Sequence, residues 1–587
     1  MARLDRVAQL RIALAQINCT VGDLDGNADL IAAYARRAAD DGAHLVAFPE
    51  MALTGYPVED LALRRSFVEA SIGAVRRLAA RLADEGLGEL PAVVGFLDRR
   101  EGAAQRYGQP TGMPQNALAL LYRGEVRVVS AKHHLPNYGV FDEFRYFVPG
   151  DTLPVVRVHG VDVAFAICED LWQDGGPVAA VRDAGAGLLV VLNSSPYERD
   201  KDDERLALCR RRAREAGAAL AYVNMVGGQD ELVFDGDSLV VDAEGALLAR
   251  AAQFEEALLV TDLELPAPSE PRPDDTLATT DIEIRRHTLS ERPVDPYDPR
   301  PSTIADRLDD LAEVYAAIVT GTRDYVRKNR FGSVILGLSG GIDSALTATI
   351  ATDALGPEMV NVVLMPSRYS SEHSVTDAEE LVKRQGITAR TVAVGPMIDA
   401  FEAAVDIDGL AAENLQSRVR GQLLMTLSNQ YGHLVLTTGN KSELATGYST
   451  LYGDSAGGFG PIKDAWKTLV WELASWRNAE AARRGEVPPI PENSITKPPS
   501  AELRPGQLDT DSLPDYPVLD ALLDDYIGTD LGRAELIAAG HDPALVDRVI
   551  RLVDRAEYKR RQYPPGPKIS KRNFGRDRRL PITSRWS

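Results

Sequence analysis

Cysteine is scarce in this sequence, and the scarcity narrows its biochemistry. Only three cysteines occur among 587 residues, Cys19, Cys168 and Cys209, and none forms a CxxC pair. These cysteines are too few and too widely spaced for a disulfide framework or a zinc site built from cysteines. A reducing cytoplasm is the expected compartment. The sequence also lacks an uncharged apolar run of about 18 residues, so neither a signal peptide nor a membrane-spanning helix is predicted.

The sequence has fewer positively charged than negatively charged residues. The chain has 65 Lys and Arg residues against 86 Asp and Glu residues, a net charge of -21. Such a surface repels phosphate backbones and anionic lipids, which disfavours nucleic acids and membranes as partners. The chain is also longer than the roughly 250 to 300 residues at which single hydrophobic cores stop growing, so two large domains are predicted.

Proline marks a break in composition at residues 265–302, where eight prolines interrupt a polar segment without sustained periodicity. We interpret this segment as a linker between residues 1–264 and residues 303–587. Before it, short apolar runs alternate with helix-like stretches, which predicts an α/β fold of paired sheets covered by helices. After it, a helix expected over residues 304–327 precedes strand, helix and strand in turn, which predicts a doubly wound parallel sheet.

A glycine turn separates a predicted strand from a predicted helix in the second half of the chain. The turn comprises Gly337, Leu338, Ser339, Gly340, Gly341, Ile342, Asp343 and Ser344. Successive backbone amides at a helix start form a cradle for anions, and glycine lets backbone approach phosphate closely. The chain has neither the Walker pattern GxxxxGKS/T nor GxGxxG, so a Walker NTPase and the usual dinucleotide fold are disfavoured. The alternative is a plain tight turn with Asp343 as an ordinary helix cap.

The SGGIDS part of this turn resembles the pyrophosphatase-loop signature of enzymes that cleave ATP between its α and β phosphates to adenylylate a substrate. Four further segments, which begin at Met365, Glu413, Thr437 and Lys497, resemble NAD synthetases across most of the second half. The resemblance implies an adenine nucleotide α-hydrolase-like fold, ATP as co-substrate, deamido-NAD as substrate and Mg²⁺ as cofactor. One departure stands at Leu451, where ammonia-using members carry a lysine, and it leaves the nicotinate-side contact open.

The same resemblance assigns residues to these ligands. It places the eight residues of the glycine turn, Thr438 and Lys467 on ATP, and Asn414, Glu443 and Lys559 on deamido-NAD. Asp343 and Glu443 are the expected magnesium ligands, since carboxylates hold Mg²⁺ beside phosphate oxygens.

The end of the chain is strongly basic inside this acidic protein, first at residues 558–562, which include Lys559, and then from Lys568 to Arg579. Composition alone allows a tail for nucleic acid or a partner, or a plain solvated surface. The resemblance favours the dinucleotide substrate as the partner of this region, through Lys559.

In the first half of the chain, Cys168 ends an apolar strand-like run, VDVAFAI, where predicted core gives way to polar residues. The carboxylates of Glu169 and Asp170 would raise the pKa of its thiol, so activation must come from elsewhere in the fold. Glu50 and Lys132 also follow predicted strands, and strand ends collect functional groups. Each of the three, taken singly, has an ordinary structural explanation.

Together, Glu50, Lys132 and Cys168 resemble the Glu-Lys-Cys set of the nitrilase superfamily, as do the segments EMALTGYP and LPNYGVFDE. The resemblance implies an N-terminal αββα sandwich in which Glu50 accepts the thiol proton, Cys168 attacks a carboxamide and Lys132 stabilises the oxyanion. It adds Glu143 as the group that positions Lys132, and it names Tyr138, Ser195 and Lys201 as glutamine-binding residues. Cys19 and Cys209 match no motif and are assigned to packing.

The two resemblances together imply one reaction, in which ammonia released from glutamine displaces AMP from adenylylated deamido-NAD. Family habit adds a homo-oligomer and an internal passage for ammonia. The nearest rival is another glutamine-dependent amidotransferase with the same ATP loop. Asparagine synthetase is disfavoured because Ala2 stands where its nucleophilic cysteine is needed, and the net negative charge disfavours a tRNA-thiolating enzyme. A nucleotide-binding scaffold without activity is the rival from a different class.

Overall fold

The computed structural model describes residues 6–100, 108, 110–267, 276–278 and 282–585. The chain forms two compact units, one of Met1–Gln229 with Phe234–Leu308 and the other of Asp230–Val233 with Asp309–Ser587. Each unit has its own sheet structure. Within the described residues, every helix is too short or too polar to span a lipid bilayer.

The first unit is built from two β-sheets and the helices that cover them. Its strands are β1 (Arg6–Gln16), β2 (Leu45–Ala47), β3 (Ala92–Arg99), β4 (Pro114–Tyr122), β5 (Glu125–Ala131), β6 (Thr152–Val158), β7 (Val161–Ile167), β8 (Leu188–Asn193), β9 (Ala219–Asn224), β10 (Val226–Gln229), β11 (Leu232–Asp235), β12 (Leu239–Val241), β13 (Leu247–Arg250), β14 (Ala257–Ala267), β15 (Thr276–Ala278) and β16 (Glu283–Thr288). Its helices are α1 (Leu24–Asp40), α2 (Arg65–Asp84), α3 (Glu143–Tyr146), α4 (Glu169–Trp172), α5 (Gly176–Ala179), α6 (Val181–Ala184) and α7 (Lys201–Ala216), with a 3₁₀ turn at Glu59–Leu63. The sheets have the orders β14-β1-β2-β3-β4-β5 and β13-β12-β9-β8-β7-β6-β16-β15, and of β11 only Phe234 and Asp235 belong to this unit.

The main core of this unit lies between the two sheets. Leu10 and Leu118 of the six-stranded sheet join Val163 of the eight-stranded sheet in one apolar cluster. Leu208 and Cys209 of α7 belong to a second cluster, on the other face of the eight-stranded sheet. Strands covered on both faces are mostly apolar without alternation, which explains the composition of β7, β8 and β9. The αββα sandwich predicted from the sequence is confirmed.

Residues 265–302 contain more regular structure than their prolines indicate. β14 continues to Ala267, and β16 pairs in parallel with β6, with Ile284 opposite Leu153. In DIEIRRHT, between two groups of prolines, apolar and polar residues alternate at first, which is typical of a strand and does not fit a linker. Residues 268–275 and 279–281 of the predicted linker lie outside the described residues. The boundary at 265–302 stays a proposal.

The second unit is a parallel sheet among helices. Its strands β17 (Val334–Gly337), β18 (Val360–Leu364), β19 (Thr388–Thr391) and β20 (Leu434–Val435) have the order β19-β18-β17-β20. Its helices are α8 (Asp310–Lys328), α9 (Ile342–Leu355), α10 (Glu372–Gln385), α11 (Gly395–Ala404), α12 (Gly409–Tyr431), α13 (Lys441–Thr446), α14 (Lys467–Arg483), α15 (Glu492–Thr496), α16 (Tyr516–Leu523), α17 (Arg533–Ala538), α18 (Pro543–Arg555) and α19 (Glu557–Arg560). Short 3₁₀ turns occupy Pro357–Met359 and Asp509–Asp511, and a π turn occupies Asp524–Gly528.

The strand order of this parallel sheet reverses at β17. Doubly wound folds bind ligands beyond the carboxyl ends of their strands, at such a reversal. β17 ends at Gly337, which is the first residue of the glycine turn. The predicted sheet type is therefore confirmed, and the turn stands where the topology favours a ligand.

The helix predicted from residue 304 begins at Asp310 instead. Asp309 caps it, because its carboxylate accepts a hydrogen bond from the Ala312 N–H at 3.0 Å. Ile304 forms a parallel bridge with Arg250, so residues 304–308 belong to the first unit. The predicted start is wrong by six residues. Ile304 is an apolar residue of a β-bridge, and its spacing from the apolar residues of the helix happens to fit the helical period.

The basic stretch Lys568–Arg579 is folded onto the second unit. Lys568 is buried and lies 3.5 Å from Asp577, and Arg578 lies 3.5 Å from Glu557. The Ser570 N–H donates to the Asp464 carboxylate at 2.8 Å. Acidic groups of the same unit thus neutralise several of these positive charges. The stretch is therefore not the extended tail that composition alone allowed.

Candidate active sites

Cys168 stands on a sharp turn between β7 and α4. Its φ angle is +42°, which is rare for a residue other than glycine and is found where surrounding contacts hold the backbone. Its N–H donates to the Leu192 carbonyl of β8, and its carbonyl accepts from the Leu171 N–H, both at 2.9 Å. The residue is 5% exposed. The turn therefore fixes a buried thiol at the end of a central strand.

Lys132 is held between two buried glutamates. Its Nζ donates to Glu50 Oε1 at 2.8 Å and to Glu143 Oε1 at 3.0 Å, and none of the three is more than 3% exposed. Burial alone would lower the pKa of Lys132, but the charges of Glu143 and Glu50 outweigh it and hold that pKa well above its usual value. Burial raises the pKa of Glu143 against the opposing charge of Lys132. Lys132 is therefore a fixed ammonium donor.

Glu50 is oriented by residues that the sequence did not single out. Its Oε1 also accepts from Asn116 Nδ2 at 2.7 Å, and its Oε2 accepts from the Ser194 N–H at 2.9 Å. The Ser194 hydroxyl donates to the Glu50 carbonyl at 2.8 Å. The Glu50 side chain thus has one defined orientation beside Lys132.

The Cys168 thiol is not activated by its surroundings alone. Burial, followed by the charge of Glu50, raises its pKa well above the usual value, while Lys132 opposes this rise. A thiol of raised pKa is neutral near pH 7 and needs a base at the moment of attack. Among the carboxylates near this thiol, Glu50 has the largest effect on its pKa, which makes Glu50 the candidate base.

We expect the rate at which iodoacetamide alkylates Cys168 to rise with pH through pH 9, without a plateau near neutrality. Only the thiolate reacts, and its fraction grows about tenfold per pH unit below the pKa. The raised pKa of Cys168 puts this whole range below the midpoint. Mass spectrometry of the peptide that contains Cys168 measures the rate. A plateau below pH 7 would contradict this assignment of the protonation state.

The three residues expected to bind glutamine lie close to α4, which follows Cys168, or next to a residue that orients Glu50. The Tyr138 hydroxyl donates to the Glu169 carboxylate at 3.0 Å, and Glu169 follows Cys168 directly. Lys201 opens α7, and its Nζ lies 5.7 Å from the ring centre of Trp172, in α4. Ser195 is buried next to the Ser194 that holds Glu50. Glu169 is buried, and the sequence analysis expected it only to raise the pKa of the Cys168 thiol.

In the second unit, the glycine turn lines a cavity of about 320 Å³, which lies in the size range of small-ligand pockets. The cavity is lined by Gly337, Leu338, Ser339, Gly341, Ile342, Asp343, Ser344, Thr438, Glu443 and Lys467, among others. Gly340, Asn414 and Lys559 are not among the described residues that line it. Asn414 Oδ1 accepts from the Thr450 hydroxyl at 2.8 Å, and Lys559 Nζ donates to the Gly447 carbonyl at 2.7 Å. Burial lowers the pKa of Lys559.

The glycine turn is closed by its own serines and requires its central glycine. Gly340 has a φ of +80°, and a Cβ there would lie 2.1 Å from the Ser374 carbonyl oxygen. The Oγ atoms of Ser339 and Ser344 lie 3.1 Å apart, and the Gly341 N–H donates to Ser339 Oγ at 3.2 Å. α9 begins within the turn, so the positive end of its dipole lies at the cavity.

Opposite charges crowd together beside this turn. One oxygen of Asp343 accepts from Asn440 Nδ2 at 2.9 Å, and the other forms an ion pair with Lys467 Nζ. Glu443 forms a capping box with Asn440 at the start of α13. Burial, followed by the charge of Asp343, raises the pKa of Glu443 well above its usual value. The buried Asp509 carboxylate also lines the cavity, so three carboxylates and one ammonium group share a poorly solvated space.

Comparison with known proteins identifies both halves of the chain. Residues 11–269 match the carbon-nitrogen hydrolase family, and residues 314–563 match the NAD synthase family. The glutamine-dependent NAD(+) synthetase of Acinetobacter baylyi is 42% identical over 582 residues and covers 98% of both chains. That of Thermotoga maritima is 43% identical over 602 residues, with 98% of this chain and 99% of the relative covered.

A solved structure agrees with these sequence matches. The glutamine-dependent NAD+ synthetase of Acinetobacter baumannii, in complex with adenosine diphosphate, is 40% identical, covers 99% of both chains and superposes with a TM-score of 0.71. Family matches to both halves and this full-length likeness lead to one conclusion: the chain belongs to the family of glutamine-dependent NAD(+) synthetases.

Proposed function

We propose that this chain converts deamido-NAD to NAD, with glutamine as the nitrogen donor and ATP as the activating co-substrate. The observation that carries the proposal is the buried Glu50–Lys132 pair whose charges act on the Cys168 thiol. Another amidotransferase with the same ATP loop is not favoured, because the full-length relatives are NAD synthetases.

In the first unit, Glu50 takes the proton of the Cys168 thiol as sulfur attacks the carboxamide carbon of glutamine. The Lys132 ammonium group donates to the oxyanion that forms, and Glu143 keeps Lys132 in place. The tetrahedral intermediate collapses as Glu50 returns the proton to the leaving nitrogen, so ammonia departs and a thioester remains. Water then attacks the thioester with Glu50 as base, which releases glutamate and restores the thiol.

Three residues hold glutamine during these steps. Lys201 pairs with the α-carboxylate, since a lysine and a carboxylate form a charge-assisted hydrogen bond. Tyr138 and Ser195 complete the binding site. Their support is the proximity of all three to the Cys168 turn or to the groups that orient Glu50.

In the second unit, the residues Gly337 to Ser344 bind the phosphates of ATP through backbone amides and the start of α9. Thr438 and Lys467 also contact ATP, and the Lys467 ammonium group neutralises charge on the departing pyrophosphate. Asn414, Glu443 and Lys559 bind deamido-NAD. A nicotinate carboxylate oxygen attacks the α-phosphorus, pyrophosphate leaves, and ammonia then displaces AMP from the acyl adenylate.

The residues present fit a magnesium ion. In the part of the chain that the structure describes, no group of three or more His, Cys, Asp and Glu side chains is arranged for a metal. Mg²⁺ at nucleotide sites takes only one or two protein carboxylates and fills its shell with phosphate oxygens and water. Asp343 and Glu443 are such a pair: burial, followed by the charge of Asp343, raises the pKa of Glu443, and a cation between the two carboxylates would offset both effects. Bound there, Mg²⁺ would neutralise charge on the phosphates.

The proposal is tested with purified protein, deamido-NAD, ATP, Mg²⁺ and glutamine. We expect NAD, AMP and pyrophosphate in equal amounts with at least one glutamate per NAD, and no amidated product when xanthosine monophosphate or aspartate replaces deamido-NAD. Product from either replacement, with none from deamido-NAD, would reject the substrate. The homo-oligomer, the cytoplasmic location, the ammonia passage and the absence of nucleic-acid and membrane partners stay predictions.

A further inference from the structure

Asp170 is a buried carboxylate to which neither the sequence motifs nor the proposed mechanism assigns a task. It is the second residue of α4, and it is 1% exposed. Its Oδ1 accepts hydrogen bonds from the N–H groups of His133 at 3.0 Å and His134 at 2.8 Å. Its Oδ2 accepts from the Ile167 N–H at 3.1 Å. One side chain therefore gathers three backbone donors.

These donors flank the two groups that carry the chemistry of the first unit. Ile167 directly precedes Cys168, and His133 directly follows Lys132. Ile167 ends β7, in the eight-stranded sheet, whereas Lys132 follows β5, at the edge of the six-stranded sheet. The Asp170 carboxylate thus connects two sheets at the strand ends that present the thiol and the ammonium group.

The connection is made where the backbone needs support. Cys168 has a φ of +42°, and a residue other than glycine keeps such a conformation only where neighbouring contacts hold it. The Lys132 segment is held on its other side by β4, because the Lys132 N–H donates to the Asn116 carbonyl at 2.8 Å. Asp170 supplies the contact on the side of His133 and His134.

The arrangement is not what packing alone would select. Burial raises the pKa of Asp170 to about 6, and the N–H groups of His134 and Ile167 oppose the rise. A carboxylate removed from water is destabilising unless hydrogen bonds compensate, and an apolar side chain here would leave three backbone N–H groups without this acceptor. The geometry of the three donors accounts for the choice of a carboxylate.

We propose that Asp170 is a positioning residue of the glutamine site, which fixes the Cys168 thiol relative to the Lys132 ammonium group through the backbone on either side of them. The inference rests on the proposed glutaminase reaction and deepens it. Because the carboxylate bonds to backbone and not to glutamine, its removal slows thioester formation and leaves glutamine binding unchanged.

The test is Asp170→Asn in the full-length chain, assayed by release of glutamate from glutamine. An amide accepts hydrogen bonds only at its oxygen, so its nitrogen must confront at least one of the three N–H donors. We expect kcat to fall by about 10 to 10²-fold, since small displacements of reacting groups cost rates of that order, while KM stays unchanged. Ammonium-driven NAD synthesis is also expected to stay unchanged.

The matched control is Asp242→Asn. Asp242 Oδ1 also accepts from two backbone N–H groups, those of Glu244 at 3.0 Å and Ala246 at 2.7 Å, in the turn between β12 and β13. The chemical change is the same, but this turn joins two neighbouring strands and carries neither Cys168 nor Lys132. Glutaminase kcat is expected to match wild type.

Counting active sites separates positioning from folding. A glutamine-derived diazoketone that labels Cys168 gives the number of competent sites, and kcat is expressed per labelled site. A lower kcat per labelled site at unchanged KM supports the proposal, and Asp170→Glu, which keeps the charge but moves it by one methylene, is expected to behave likewise. Unchanged kcat per site, a rise in KM alone, or no labelled sites in either variant would overturn it. Wild-type protein that releases no glutamate would instead reject the proposed function.

Discussion

Replacing Cys168 with alanine is expected to abolish NAD synthesis from glutamine and to preserve NAD synthesis from ammonium. Without sulfur no thioester forms, and Glu50 and Lys132 have no nucleophile to assist. Loss of a covalent nucleophile costs several orders of magnitude, so glutamine-driven synthesis should fall by at least about 10³-fold. The adenylylating groups lie in the other unit of the chain, so external ammonium reaches an intact site. NAD formation at saturating glutamine or ammonium measures both quantities.

Cys209→Ala is the control for this variant. Cys209 is buried in the apolar cluster on the outer face of the eight-stranded sheet, so its loss changes packing and not chemistry. Both nitrogen donors are expected to remain usable. Equal loss of glutamine-driven and ammonium-driven synthesis in Cys168→Ala would break the division of labour between two sites.

Replacing Asp343 with asparagine is expected to remove synthesis from both donors. Asp343 bonds to Asn440 and pairs with Lys467, so the change leaves the buried Lys467 ammonium group without its closest counter-charge. It also removes one of the two carboxylates that fit Mg²⁺. Loss of a charge that stabilises a transition state costs about 10² to 10³-fold in rate, and NAD formation should fall by at least that much with either donor. Glutamate release without deamido-NAD is expected to continue at the wild-type rate.

Asp353→Asn is the matched control, because Asp353 lies on the same helix, α9, and pairs with Arg477 at 2.7 Å. The change would weaken the ion pair with Arg477, but the asparagine can still accept the hydrogen bond from the Tyr315 hydroxyl, and the glycine turn stays unchanged, so synthesis from both donors is expected to persist. Synthesis lost only with glutamine in Asp343→Asn would show that Asp343 does not serve the adenylylating step.

Local patterns carry most of what the sequence predicts about this protein. The apolar runs that end at Cys168 and before Glu50 are visible because strands buried on both faces cannot alternate. The glycine turn can be recognised in the sequence because Gly340 has a positive φ and lies too close to Ser374 for any residue with a Cβ. Such constraints act over a few residues, so they leave a signature in the sequence.

Contacts between distant segments explain what the sequence did not predict. Ser194 is 144 residues from the Glu50 that it orients, and the ion pair between Asp343 and Lys467, two predicted ATP-site residues, joins positions 124 residues apart. Asn116 and Asp170 are ordinary polar residues until the sheets bring them beside Glu50 and His134. Position in the fold, and not residue type, gives these side chains their tasks.

The central claim is that nitrogen freed from glutamine at Cys168 becomes the carboxamide nitrogen of NAD. Glutamine labelled with ¹⁵N in its amide, supplied together with an equal concentration of unlabelled ammonium, tests this directly by mass spectrometry of the NAD formed in the first turnovers. We predict NAD that carries mainly ¹⁵N, with at least one glutamate released per NAD. Unlabelled NAD, formed while ¹⁵N accumulates only as free ammonium, would contradict the account.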